Sequence, residues 1–159
     1  MTWWAANSHC KSKGGKLVEI DSKKENTALV EEINRRGYAD RDMNFWIGLT
    51  NQGNGGTWWL ASSGLKPSYL NWHYNQPDGG AQKCARIRIG PFHTWKDTWS
   101  DIYCGLTRHT NSMHALCEFS QTAGDTATED PSSEGGLTHM TYISVKTMLI
   151  TVKLRNKMQ

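Results

Sequence analysis

Four cysteines, Cys10, Cys84, Cys104 and Cys117, constrain this chain more than any other feature of its sequence. Four cysteines allow three pairings, and spacing alone does not choose among them. None stands in a Cys-x-x-Cys pair, so a zinc ribbon or a thioredoxin-like site lacks its basic element. An even number of widely spaced cysteines, in a chain with 15 Gly and 8 Trp, suits an oxidising extracellular setting. The 159 residues are enough for one domain with a real core.

Charge and composition exclude several functions. The net charge is +3, and the basic residues are scattered with no run that would form a nucleic-acid arm. No stretch approaches the roughly 20 apolar residues of a membrane span. The opening Met1-Thr2-Trp3-Trp4-Ala5-Ala6 has neither the basic flank nor the apolar core of a signal peptide, and the expectation is a start missing from this chain. The six His show no zinc-site spacing, and no Ser or Cys nucleophile motif occurs. Asp97 and Asp101 are a formal carboxylate pair, but nothing sets a raised-pKa acid opposite a nucleophile. Gly53-Asn54-Gly55-Gly56 is a turn, because no Lys-Ser/Thr follows to make it a phosphate loop. The chain is read as a non-enzyme. No Asn-x-Ser/Thr acceptor is present, so N-glycosylation is not expected.

The local patterns place the elements. Trp3, Ala6 and Cys10 fall at helical spacing, predicting a helix over 2–13 that Gly14-Gly15 stops. Ser22 with Glu25 three residues on is a capping-box signature, and Ala28, Leu29 and Ile33 give the helix behind it an inward face to near Gly37. Strands are predicted over 45–49 and 57–60, separated by a turn-rich segment. Cys84-Ala85-Arg86-Ile87-Arg88-Ile89 alternates as a strand with one face buried. Residues 95–101 and 114–119 are further strand candidates. Between them, 62–82 is long, Gly- and Pro-punctuated and irregular, and a loop of that length inside a compact domain is usually functional. Residues 120–139 form an acidic, disordered linker holding Asp125, Glu129, Asp130 and Glu134. The tail over 140–159 is β-prone and basic, with Lys146, Lys153, Arg155 and Lys157.

The loop carries the candidate site. In Tyr74-Asn75-Gln76-Pro77-Asp78, a Gln and an Asp flank one Pro, putting two oxygen-bearing side chains on a stiff turn. Oxygen ligands on a stiff turn are what a hard cation such as calcium requires. Only proline makes a cis peptide cheap, and a cis bond at Pro77 would turn both side chains toward one ion.

The ordered set of these residues resembles the C-type lectin-like domain. The matching pieces are Trp4 and Ala5 before Cys10, Gly14-Gly15-Lys16-Leu17-Val18, Trp46-Ile47-Gly48-Leu49 and Asn71-Trp72. After these come Gln76-Pro77-Asp78, Cys84, Trp99-Ser100-Asp101 with Cys104, and Cys117-Glu118-Phe119. The resemblance covers about residues 3–119 and implies an α+β fold. It implies two helices flanking small antiparallel sheets, a long ligand-binding loop region, and disulfides Cys10–Cys117 and Cys84–Cys104. The domain is accordingly set at 1–119. The family's N-terminal hairpin has no counterpart ahead of the first helix. That would leave the edge of 114–119 unpaired, and the 140–155 tail is the segment able to fold back onto it.

The resemblance also implies a calcium-bound carbohydrate site. Carried over position by position, the calcium ligands are Gln76, Asp78, Gln82, Ser100 and Asp101, and Gln76, Asp78 and Asp101 would also bond the sugar hydroxyls. Two positions depart from the pattern: Gln82 stands where the family has an acid, and Ser100 where it has Asn. Asp97 is the nearby acid that would compensate. The Gln-Pro-Asp triplet looks like the galactose-type selector, although Gly79-Gly80 stands where galactose-type members often place a stacking Trp. Lys83 brings a positive charge toward the site. Trp46, Trp58, Trp72 and Trp99 are read as core, with His93 and Trp95 as candidate ligand contacts. The expected function is calcium-dependent, galactose-type binding of glycoconjugates by a secreted protein, with oligomers supplying avidity. The alternative is a calcium-independent protein-interaction module on the same scaffold.

Overall fold

A computed structural model describes residues 1–38, 40–53, 55–91, 97–107 and 110–120, and the backbone of 140–145 and 148–153. The expected linker beyond Ser120, as well as His93 and Trp95, lies outside the described residues.

Helix α1 spans Trp3–Ser12, with the Thr2 hydroxyl accepting the Ala5 N–H as its N-cap. Its buried residues Trp3, Ala6 and Cys10 are the ones the helical spacing selects. Helix α2 spans Lys23–Ile33. The capping box is formed there: Ser22 Oγ accepts the Glu25 N–H at 3.2 Å, and Glu25 reaches back to the Asp21 N–H at 2.9 Å. A wider turn over Asn34–Tyr38 follows, with Gly37 at φ 84°.

The strands are β1 (Lys16–Leu17), β2 (Met43–Thr50), β3 (Trp59–Leu60), β4 (Cys84–Ile89), β5 (Trp99–Ile102), β6 (Met113–Ser120), β7 (Met140–Val145) and β8 (Met148–Lys153). Among the described residues they join in the order β5-β4-β2-β6-β8-β7, with β1 added on β6 and β3 on β2. The expected antiparallel pairing holds between β2 and β4 and between β4 and β5. The sheet as a whole is mixed, because β2 and β6 run parallel through Asn44↔Met113 to Trp46↔Ala115. β3 and β5 are shorter than the apolar runs suggested. β8 pairs antiparallel with β6 from Ala115↔Lys153 to Ser120↔Met148, and β7 pairs with β8.

β2 is buried on both sides, which explains its near-continuous apolar run. Phe45, Ile47 and Leu49 pack with Leu29, Val30 and Ile33 of α2. Trp46 points the other way, into the cluster of Trp3, Ala6, Cys10 and Leu17. Gly48 lets β1 approach β2: its N–H donates to Val18 O at 2.7 Å, and a Cβ there would lie 2.8 Å from Leu17 O.

Two disulfides fix this frame, Cys10–Cys117 across 107 residues and Cys84–Cys104 across 20. By chain entropy they contribute about 5 and about 3 kcal/mol. A charged cluster ties the start of the long loop to β6. Lys16 Nζ lies 2.6 Å from Glu19 and 2.8 Å from Glu118, both nearly buried, and the Ser62 hydroxyl donates to Glu19 at 2.6 Å. Burial pushes the Glu118 carboxyl up, against the pull of Lys16.

Candidate functional site: the proline turn and β5

The long loop rests on an aromatic floor. The Trp99 ring meets Tyr69 edge-on at 5.6 Å and Trp72 at 6.1 Å, and Trp72 packs on Trp58 at 4.8 Å. Trp99 is buried, and its indole N–H donates to Asn26 Oδ1 of α2 at 2.9 Å. Loop and β5 share backbone bonds: Trp99 N–H donates to Asn71 O and His73 N–H to Trp99 O, each at 2.8 Å. Asn71 Nδ2 adds a bond to Asp97 O at 2.8 Å. Of the four tryptophans read as core, Trp58, Trp72 and Trp99 therefore form the support of the loop.

From His73 the chain turns back. The Gln76 N–H donates to His73 O at 2.9 Å, with Tyr74 and Asn75 at the tip and Asn75 at φ 59°. Asn tolerates that left-handed conformation better than most residues. The Gln76–Pro77 peptide is cis, as the turn chemistry predicts. Just beyond it, the N–H groups of Asp78 and Gly79 donate to the two carboxylate oxygens of Asp101, at 3.1 and 2.8 Å. Gln82 closes the far side, its side-chain amide donating to Asp78 Oδ1.

The structure thus brings Asp78, Gln82 and Asp101 together, with Gln76 next to them across the cis bond. Asp101 is 3% exposed, and burial holds its carboxyl above the usual range despite the two N–H donors, with Asp78 adding repulsion. Asp78 itself is exposed. Ser100 is placed differently. Its hydroxyl accepts from Arg86 Nε at 2.9 Å, and Arg86 is its register partner on β4. Asp97 lies just before β5 at φ 65°, where its N–H donates to Arg88 O at 2.7 Å, whereas Asp101 is the register partner of Ala85 within the strand. Lys83 is fixed through its backbone, with its carbonyl accepting from Thr50 Oγ1 at 2.7 Å and from the Asn51 N–H at 3.0 Å.

One polar residue escaped the sequence reading. Asn51 is 4% exposed, and its side-chain oxygen has no hydrogen-bond partner among the described residues. The signal available was its position directly after the buried end of β2, where a polar side chain is driven inward.

Chemically, the turn offers only oxygen acceptors of the hard type. Two carboxylates would balance the two charges of calcium, and the amide oxygens of Gln76 and Gln82 could add neutral ligands, so the residues present fit that ion. Among the described residues, no group of three or more His, Cys, Asp or Glu side chains gathers into a metal cluster. The candidate set therefore carries two charged ligands. No described helix is long and apolar enough to cross a membrane.

A family model for the lectin C-type domain matches residues 1–119. The chain is 29% identical to a perlucin-like protein of Mytilus galloprovincialis over 119 residues, 72% of this chain and 68% of that protein. It is 29% identical to a hepatic lectin of Gallus gallus over 123 residues, 74% of this chain and 50% of the lectin, so it spans only half of that relative. Among solved structures, the C-type lectin CEL-I from Cucumaria echinata superposes with a TM-score of 0.55 at 26% identity, covering 65% of this chain and 76% of that one.

Proposed function

Because this chain belongs to the C-type lectin family, we propose that it binds carbohydrate through a calcium ion held on the proline turn. Gln76, Asp78, Gln82 and Asp101 would hold the ion, and Ser100 stands apart because its hydroxyl is already engaged by Arg86. A bound calcium would supply open coordination positions for two neighbouring sugar hydroxyls. Asp78 and Asp101 would accept hydrogen bonds from those hydroxyls, and Gln76 would accept or donate. The Gln-Pro-Asp order favours a galactose-type sugar, and the hepatic lectin likeness supports carbohydrate as the ligand class.

The observation that carries this reading is the pairing of the cis-proline turn with Asp101, which sets an exposed carboxylate beside a buried one. We take residues 1–119 as the binding domain, 120–139 as an acidic linker, and 140–159 as a β-prone basic tail, within which β7 and β8 lengthen the sheet beside β6. The two disulfides favour an extracellular setting. Single-sugar affinity would be weak, so useful binding would come from several copies.

Thermal unfolding of the oxidised protein with and without millimolar calcium tests the proposal. A ligand specific to the native state raises the midpoint. A rise reversed by chelator, followed by retention on galactose-agarose, supports it. Cooperative unfolding with no shift removes it.

A calcium-independent protein-binding role is the second reading, and one observation favours it. Both Asp101 oxygens are satisfied by N–H groups and Asp78 Oδ1 by Gln82, so the turn is complete without a cation. Partner binding that survives chelation would select it.

A further inference from the structure

Of the six large hydrophobic side chains left exposed among the described residues, three come from two adjoining segments: Trp4, Tyr103 and Leu106, at 50%, 50% and 70% exposure. The start of α1 is docked on the segment after β5, where the Trp3 N–H donates to Cys104 O at 2.9 Å. Trp3 turns inward to the core, which leaves its neighbour Trp4 turned outward. The Trp4 ring comes to rest beside Gly105, where a Cβ would lie 3.9 Å from its Cζ3. Tyr103 and Leu106 flank that glycine along the chain. Both segments are fastened to the frame by disulfides, α1 through Cys10 and the other through Cys104. Single apolar side chains are ordinary on a surface, whereas a group of them on a fixed support marks a contact site.

We propose that Trp4, Tyr103 and Leu106 form the face on which two copies of this chain pair. Charge selects that occupant. Residues 1–10 and 102–107 hold no Asp, Glu, Lys or Arg, so the face offers no ion pair to a charged partner or an anionic lipid surface. For the same reason it carries nothing that repels a second copy. Area points the same way. At these exposures the three side chains offer roughly 300 Å², less than half of the roughly 800 Å² that each partner contributes to a lasting complex. That is too little for a permanent partner and suits a weak, reversible dimer. A two-fold arrangement sets the face against itself, so each contact, such as Trp4 with the partner's Leu106, is made twice. Tryptophan and tyrosine are also the side chains that carry most of the energy in such patches. The pairing stands independently of the calcium and sugar reading, and it would supply the second copy that weak single-site binding calls for.

Sedimentation equilibrium of the oxidised full chain from about 10 µM to about 1 mM tests this. We expect the average mass to rise from 18.0 kDa toward twice that value, with a dissociation constant of about 100 µM or weaker. Trp4→Glu and Leu106→Glu should each weaken association by about tenfold or more, since each charge enters the pairing twice. Leu65→Glu, at an exposed leucine outside the face, should stay within about twofold of wild type. Thermal midpoints check that each variant is folded. Concentration-dependent NMR shifts of the wild type give a readout without any variant, and they should centre on residues 4, 103 and 106. Wild type that stays monomeric throughout overturns the inference, and so does a dimer indifferent to both Trp4→Glu and Leu106→Glu or shifts centred elsewhere. A monomer that these residues hold on neutral phosphatidylcholine vesicles also overturns it, in favour of a membrane surface.

Discussion

The Asp78 N–H donates to Oδ1 of Asp101 at 3.1 Å, joining the proline turn to β5 across 23 residues of chain. The next N–H, that of Gly79, takes the other oxygen at 2.8 Å. One buried carboxylate thus shapes the loop, and its exposed neighbour Asp78 presents charge to solvent.

Stability and cation response should therefore separate between the two acids. Asp101→Ala leaves two N–H groups without their acceptor and should cost about 1–3 kcal/mol. Asp78→Ala keeps both bonds, which are donated by the backbone N–H groups of Asp78 and Gly79, loses only the exposed contact with the Gln82 amide, and should change stability by less than about 0.5 kcal/mol. Both variants should lose the calcium-induced rise in melting temperature. Calorimetry with and without calcium checks this, and equal destabilisation by the two substitutions would contradict it.

Gln82→Glu should restore a third charged ligand. Without calcium, the new carboxylate would face Asp78 in place of the amide donor now there, so the apo midpoint should fall by a few degrees. With calcium the order should reverse, and affinity should rise about tenfold or more, since calcium affinity follows ligand charge count. Isothermal titration with calcium measures this directly. An unchanged affinity would mean that the ion is not held at residue 82.

Asn26 links α2 to the loop floor. Its Oδ1 accepts from Trp99 Nε1 at 2.9 Å, and its Nδ2 donates to Asp97 O at 3.2 Å. Asn26→Ala would strand a buried indole N–H and should cost about 2 kcal/mol. Near-ultraviolet circular dichroism should report the altered tryptophan environment. Denaturant unfolding with no loss of stability would show that the bond contributes nothing.

Glu25 should give the fold a pH dependence near neutrality. Burial, with repulsion from Asp21, pushes its carboxyl up to about 7, against the pull of the Asp21 N–H. The folded state therefore binds more protons than the unfolded chain between the ordinary carboxylate value of 4.5 and about 7. Stability should rise as pH falls from about 7 toward about 5 and be lost again as pH rises through about 7. Solvent screening at this half-exposed site holds the effect to about 1 kcal/mol. Glu118 is shifted in the same direction by its burial. Glu25→Gln should flatten the dependence, as read from melting temperature across that range.

The elements that the sequence revealed are those with local signals. The Ser22–Glu25 box and the Cys84–Ile89 alternation act over a few residues and appear where the sequence puts them. The parallel pairing of β2 with β6 joins segments far apart in the chain, such as Asn44 with Met113, and nothing in either segment names its partner. Asn26 looked like an ordinary polar helix residue, because its partner Trp99 arrives only through the fold. Within the site, the cis proline and the approach of Asp78 to Asp101 follow from motif and turn chemistry. The engagement of Ser100 was partly readable. Neighbours on a strand point to opposite faces, so Ser100 and Asp101 start out turned away from each other. Identifying Arg86 as its partner required the register of β4 with β5.

The closure of the turn on Asp101 also bears on the energetics of recognition. The entropy of ordering residues 76–79 is incurred when the chain folds, and none of it falls on the later encounter with a ligand. Whatever settles on this turn displaces water and exchanges hydrogen-bond partners on a shape already set. Weak single-site contacts can then form and dissolve quickly, which suits a surface that samples many copies of a repeated epitope.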